Sequence, residues 1–487
     1  MDSKENLRKL YKYSILFIVA NAIFMYYESY YMAMVPMVFA ILAFTLISLD
    51  KILLLIVFFV PLSVPLREIV PNLEIDFYLP TEPLLFGILL LFILKVLTER
   101  NFDKRIAYHP VSLAIYFNLL WLFITSISST MPIVSFKFLL ARMWFVAAFY
   151  FLATQLFQHV KNMKHYIWLY AIPFIFVMIY AFFRHVSIGL FDEDAAHYVM
   201  SPFFNDHTSY GAMLAMFIPV LIGLATRSNY TQTQKSLVWI VIAIYFTALG
   251  FSYTRAAWLS LVGALGVWVI MQLRIKFRTI AILFSTIIIL FFSFQTEIMI
   301  ELNRNKQDSS RDLEKHVKSM ANIRTDASNL ERLNRWNSAI RMFKEKPIFG
   351  WGPGTYMFKY AGFQFSYEKT IISTNAGDMG NAHSEYIGPL AESGVLGSIS
   401  FILILITSLY TGIKVYHRVQ QKELKMLALT CTLGLITYYL HSFLNNFLDT
   451  DKASAPFWGF IAILVAIDVY HSGQLEVGSS QSSISKE

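Results

Sequence analysis

LVWIVIAIYFTALGFSYTRAAWLSLVGALGVWVIMQL, residues 237–273, contains a single charged side chain, Arg255, between two apolar runs. Each run approaches the roughly 20 residues that carry an α-helix across a hydrocarbon layer. A helix satisfies its own backbone hydrogen bonds there, which an open strand cannot do. The stretch therefore reads as two membrane helices joined by a tight turn.

Runs of this kind recur from end to end. Fourteen candidate spans fall near 13–29, 32–49, 51–65, 81–98, 110–129, 137–158, 164–184, 208–226, 236–253, 255–273, 278–296, 384–413, 425–445 and 455–471. The first three are crowded and the third is short for a crossing, so the count lies between 12 and 14. At 56% hydrophobic and 15% charged, the chain carries too little charge for a soluble globular protein. The expected fold is all-α, a polytopic transmembrane helix bundle with one long extracytoplasmic loop.

The net charge of +8 raises the question of nucleic acid. Its basic residues sit in short loops between apolar runs, where the positive-inside rule accounts for them, so no nucleic-acid partner is expected. Lys95, Arg100, Lys104 and Arg105, then Lys161 and Lys164, Arg227 and Lys235, Arg274, Lys276 and Arg278, and Lys414, Arg418, Lys422 and Lys425 mark one side. Glu68, Glu74, Asp76, Asp192, Glu193 and Asp194 mark the other. Both termini are then expected in the cytoplasm. The basic start (Lys4, Arg8, Lys9, Lys12) precedes an apolar stretch without a small-residue cleavage site, which reads as a retained first helix. Cys431 is the only cysteine, which leaves no intramolecular disulfide and no cysteine metal cluster; neither a metal nor a cofactor is expected.

Four segments follow: helices over 1–296, a long hydrophilic loop over 297–383 on the outer side, helices over 384–471, and a Ser-rich cytoplasmic tail over 472–487. Loops of such length are functional or disordered. Within this one, 329–346 has helical spacing that puts Leu333, Trp336, Ile340 and Phe343 on one face, as for a helix lying on the membrane surface. Pro347 ends it, and Gly350-Trp351-Gly352-Pro353-Gly354 forms an irregular turn.

Candidate chemistry gathers on the outer face. Arg255 stands at the junction of two spans, where a charge at membrane depth marks function unless it snorkels to the interface. Arg332 and Arg335 offer planar forks suited to phosphate oxygens, although either alone reads as a solvated helix face. Asn381-Ala382-His383-Ser384-Glu385-Tyr386 lies where the long loop re-enters the membrane, and His383 is a candidate proton acceptor. Glu392 follows roughly 13 Å deeper at 1.5 Å per residue and needs a partner or water. Arg142, near Lys137, could reach a lipid diphosphate or pair with a carboxylate inside the bundle, and Asn205-Asp206-His207 precedes the eighth span. Permanent cations with one titratable base suit transfer with an anionic leaving group such as a diphosphate.

These pieces resemble the O-antigen ligase and O-antigen polymerase superfamily of bacterial envelope enzymes. Ser252-Tyr253-Thr254-Arg255-Ala256-Ala257-Trp258-Leu259 looks like its Ser/Thr-Arg-small-small motif. Arg332-Leu333-Asn334-Arg335-Trp336, continuing to Lys346-Pro347-Ile348-Phe349-Gly350-Trp351-Gly352-Pro353-Gly354, looks like its loop signature. Asn381 to Tyr386, continuing to Leu390-Ala391-Glu392-Ser393-Gly394-Val395-Leu396-Gly397, looks like its His-containing re-entry motif. Thr208 departs from the pattern, standing where many members have Asn. The likeness covers about residues 200–410.

The resemblance implies a GT-C-like, metal-independent, inverting membrane glycosyltransferase of the bacterial inner membrane. Its donor would be a glycan on undecaprenyl diphosphate, and its acceptor a hydroxyl of another glycan, of a lipid A core or of a protein. Arg255, Arg332 and His383 would be catalytic; Arg142, Arg335, Asn381, Glu385 and Glu392 would help to bind substrate. The ligase label is slightly favoured over the polymerase. A polysaccharide or lipid transporter is the rival from another class. It predicts paired repeats and charges reachable from both sides, and the sequence shows no repeat.

Overall fold

The computed structural model describes residues 2–26, 49–69, 77–99, 102–226, 230–273, 286, 327–369, 373 and 380–472. The expected spans at 32–49 (but for Leu49) and 278–296 (but for Thr286) lie outside these residues. So do Glu74, Asp76, the loop over 297–326 and the tail beyond Ser472.

The protein is an all-α, multi-pass membrane bundle. Helix α1 (Asp2–Tyr26) precedes a short α2 (Leu49–Phe59). Then come α3 (Thr81–Glu99), α4 (Pro110–Ile127), α5 (Pro132–Leu156), α6 (Val160–Ile188), α7 (His207–Ala225), α8 (Gln232–Phe251) and α9 (Arg255–Gln272). Loop helix α10 (Ala327–Glu345) is followed by α11 (Gly388–Arg418), α12 (Lys422–His441) and α13 (Asp451–His471). Among the described residues nine helices are long and apolar enough to cross a membrane, and α12, with 20 residues, equals them in length. Its lower apolarity reflects Lys422, Glu423 and Lys425 in its first turn; deeper in, the hydroxyls of Thr430, Thr432 and Thr437 donate to helix carbonyls one turn back and so stay dry.

The expected third span, near 51–65, turns back at its end among the described residues. Its 11-residue helix ends in a Val60–Leu62 turn, and the chain returns through an antiparallel ladder pairing Val64 with Leu79. Pro61 and Pro65 stop the helix here. Buried Lys452 donates to the carbonyls of Val60 (2.7 Å) and Ser63 (2.8 Å), and Asp451 accepts from Ser63 (2.7 Å) and Thr81 (2.5 Å). The start of α13 thus satisfies the polar groups that this hairpin carries into the bundle.

Helices α7 and α13 form the centre, with 83% of their apolar windows buried, against 22% for α8 and 17% for α9 at the periphery. Small residues set the close approaches. A Cβ at Gly434 of α12 would press on the Met216 carbonyl of α7, and one at Gly223 on the side chain of Thr430.

Helix α10 buries a different face from the one its apolar spacing suggests. Glu331, Asn334, Arg335, Ser338, Ala339 and Met342 are buried, whereas Ile340 is 38% exposed. The inward face packs beside Tyr356, Tyr360, Ala382 and Ala391. The reason is electrostatic: Arg335 Nε donates to Glu331 Oε1 at 2.8 Å, one turn away, so the two charges are buried as a pair.

The glycine turn after α10 is pinned to α11. Gly352 N–H donates to the Glu392 carbonyl (2.7 Å), Trp351 N–H to that of Ala391 (3.0 Å), and Val395 N–H to that of Pro347 (3.0 Å). Gly394 has φ +69° in the middle of α11, and a Cβ there would overlap the Ile348 carbonyl. Gly394→Ala therefore combines left-handed strain with a backbone clash, worth at least about 1–3 kcal/mol. A drop of several degrees in the melting temperature of the detergent-solubilised protein is expected; an unchanged melting curve would refute this account of the turn.

Candidate functional site

One end of the bundle carries the loops at 189–206, 252–254, 380–387 and 442–450 together with the start of α10. Hydrogen bonds join them. Thr254 Oγ1 donates to the His207 carbonyl (2.7 Å), Glu385 N–H to the Ser442 carbonyl (3.0 Å), and Trp336 Nε1 to the His383 carbonyl (3.5 Å).

His383 is held in an unusual backbone conformation, φ +49°. Asn381 Oδ1 accepts its N–H at 3.1 Å, the local bond by which an Asn side chain stabilises such a turn. The Asn381 carbonyl in turn accepts from Arg335 (3.1 Å), whose guanidinium also lies over the Tyr360 ring at 5.0 Å. A Cβ at Gly380 would overlap that guanidinium, so glycine lets the loop pass over it. Asn381 and Arg335 thus fix where His383 stands.

The imidazole of His383 sits among charges. Burial, and then the nearby cations Arg332 and Arg335, push its pKa down to about 4, with Asp206 and a hydrogen bond to Asn445 opposing. Asn445 Nδ2 lies 3.1 Å from His441 Nε2. Arg332 is within electrostatic reach of His207, His383 and His441, and Arg255 of His207. His207 stacks on His197, ring centroids 4.2 Å apart. Asp206 caps α7 by accepting the Ser209 amide (2.8 Å) and so presents its carboxylate here.

Arg255 is the first residue of α9, and its guanidinium lies 3.5 Å from Glu193. A cation at the positive end of a helix dipole opposes folding electrostatics and becomes favourable once an anion lies between them. Tyr253, two residues earlier, has φ +49°, rare for a bulky side chain.

A second cluster adjoins the first. Glu385 is 7% exposed, and its Oε1 accepts from the amides of Phe447 (2.9 Å) and Leu448 (2.8 Å) and from the Tyr438 hydroxyl (3.1 Å). Burial raises its pKa, while Arg142 and these donors counteract the shift. Asp449 is exposed at its side, yet the surrounding protein and the Glu385 charge raise its carboxyl to about 6 against the pull of Arg142. Of the two roles open to Arg142, a carboxylate partner is thus at hand in the bundle.

Glu392 lies within electrostatic reach of Glu385 and Asp449 but serves the loop. Its Oε1 accepts the Tyr356 amide at 3.0 Å and ties the glycine turn to α11. The structure therefore gathers Arg255, Arg332 and His383 around Asp206 and His207, and sets Arg142 with Glu385. Arg335, Asn381 and Glu392 are engaged in holding loops. Sequence reasoning overlooked His197, His441, Asn445 and Asp449. The last three lie at the end of α12 and in the turn that follows it, where polar residues packed between apolar runs are themselves a signal.

Residues 240–402 match the family model described as O-antigen ligase. Over 239 residues the chain is 27% identical to an uncharacterized protein of Haemophilus influenzae. That match takes in 47% of this chain and 55% of the relative, so the chain spans about half the length of the protein it resembles. The family match runs from α8 into α11 and includes Arg255, Arg332, Arg335 and His383; Arg142, Asp206, His441 and Asn445 fall outside it. Through residues 240–402 the chain is similar to the family described as O-antigen ligase.

Proposed function

We propose that this protein is a membrane glycosyltransferase. It moves a glycan from undecaprenyl diphosphate to a hydroxyl acceptor on the extracytoplasmic face of the bacterial inner membrane, with both termini in the cytoplasm. The observation that carries the reading is the convergence of Arg255, Arg332 and His383 at one end of the bundle, beside loops free of the basic clusters at the other end. The family supports a lipid-linked glycan as substrate. The acceptor is a lipid A core sugar in the ligase reading and a second lipid-linked glycan in the polymerase reading.

The acceptor oxygen attacks the anomeric carbon opposite the diphosphate, and its proton passes to the His383 imidazole. The bond between the anomeric carbon and the phosphate oxygen breaks, and its electron pair leaves with the diphosphate. Configuration inverts. Arg255 and Arg332 hold the growing charge without any need for a divalent cation. A pKa near 4 makes free His383 neutral but weakly basic. Bound diphosphate cancels the field of Arg332, and His383 becomes a stronger base when the donor is present.

Product analysis after reconstitution with an undecaprenyl diphosphate-linked glycan tests the reading. Transfer to lipid A core identifies a ligase and ladders on the lipid a polymerase; lipid movement without transfer would sink both. Arg255→Ala, Arg332→Ala and His383→Ala should each lower kcat/KM by about 10²–10⁴-fold while the protein still inserts. Full activity of His383→Ala would rule out the base.

The rate should fall as pH drops and the base is protonated. The acid limb of kcat/KM, which reports free enzyme, is expected near pH 4, and that of kcat at higher pH. Coincident limbs would remove the role of the diphosphate in tuning His383. Orientation has its own test. Tyr367 is 81% exposed and the single native cysteine is buried, so Tyr367→Cys in whole spheroplasts should react with an impermeant maleimide. Labelling only after lysis would invert the topology.

A further inference from the structure

A cavity of about 560 Å³ runs between α6 and α8. Met178, Phe182, Ile240, Ile244 and Phe251 are among its walls, with Ala243 and Thr247 on its floor. Two of its polar side chains are engaged within the protein: His185 Nε2 lies 2.9 Å from the Asp192 carbonyl, and Ser252 donates to the Leu249 carbonyl (2.8 Å), while Tyr210 and Thr247 also line it. Its inner surface is mostly hydrocarbon. Phe183, 68% exposed, and Ile240, 56% exposed, carry the groove onto the apolar surface of the bundle.

The groove ends at Ser252, three residues before Arg255, and Phe251 at that end meets the rings of His185 and Phe191. A hydrocarbon slot that reaches the apolar surface of the bundle, with a cation at one end, fits an amphiphile whose anionic head reaches Arg255 while its tail lies between the two helices. Its volume lies within the roughly 300–1,000 Å³ of small-molecule sites, too little for a long polyisoprenyl chain.

We infer that the groove between α6 and α8 takes the isoprene units nearest the diphosphate of the lipid-linked donor and leaves the rest of the chain in the bilayer. This rests on the proposal that Arg255 holds the diphosphate. The protein thereby reads the first units of the lipid and ignores total length.

Undecaprenyl diphosphate without a glycan, carrying a photoreactive diazirine on either its second or its last isoprene unit, is the probe. The full-length protein is placed in phosphatidylglycerol vesicles. The proximal label should attach to peptides of α6 and α8, and the distal label should not. Ala243→Trp and Thr247→Phe, both at exposed positions of the groove, should each lower proximal labelling at least tenfold. Leu259→Trp, on the exposed face of α9, should leave it unchanged. Labelling of other helices, insensitivity to the groove variants, or loss of label to excess phosphatidylglycerol would each overturn the inference. Groove labelling without glycan transfer would preserve it and refute the transferase; transfer with labels elsewhere would do the reverse.

Discussion

A single carboxylate organises the end of this bundle that carries the candidate site. Glu385 gathers the amides of Phe447 and Leu448 and the hydroxyl of Tyr438 on one oxygen, buried within the protein. Unsatisfied amides there would cost several kcal/mol each, so the turn between the last two helices can exist only where such an acceptor is supplied. Two residues before it stands His383; four residues into that turn stands Asn445. The bond that stabilises the turn also sets the separation of the imidazole and its partner.

The other groups around His383 follow from the same economy of buried polarity. Arg335 is neutralised by Glu331 and donates a further hydrogen bond to the Asn381 carbonyl. Arg332, one position away along the chain from Leu333 and nearly a helical turn from Arg335, is thereby aimed differently. Two arginines three residues apart on one helix thus divide the work, one holding the loop and one lending its field to the imidazole.

Much of this was legible beforehand. Apolar length and loop charge locate the spans within a few residues, because lipid leaves a segment few other ways to satisfy its backbone. Arg255 and His383 stand out because each is a polar residue at the boundary of an apolar run, and Arg332 because it opens the amphipathic stretch of the long loop. Less legible was whatever depends on pairing across the chain. The apolar spacing of α10 points to a face that is only partly covered, since the Glu331–Arg335 pair draws the opposite choice. Asp451 and Lys452 look like an exposed start to α13, and only the returning hairpin at 60–65 explains why both are buried. The role of Glu392 was hidden for the same reason: its partner is a backbone amide, Tyr356, which no side-chain pattern reports.

The interlock between the glycine turn and α11 also bears on how such chains can recombine. Gly350, Gly352 and Gly394 interleave two backbones with no room for a side chain, and Thr130 and Ser135 of the α4–α5 region bond to the carbonyls of Trp351 and Pro353. A crossover between two relatives that falls between 347 and 395 would separate halves of one surface shaped against each other. A crossover in the short Val419–Gln421 connection, at the opposite end, would leave that surface whole. The turn and α11 are then expected to travel between relatives together, as one block, and not as isolated loop residues.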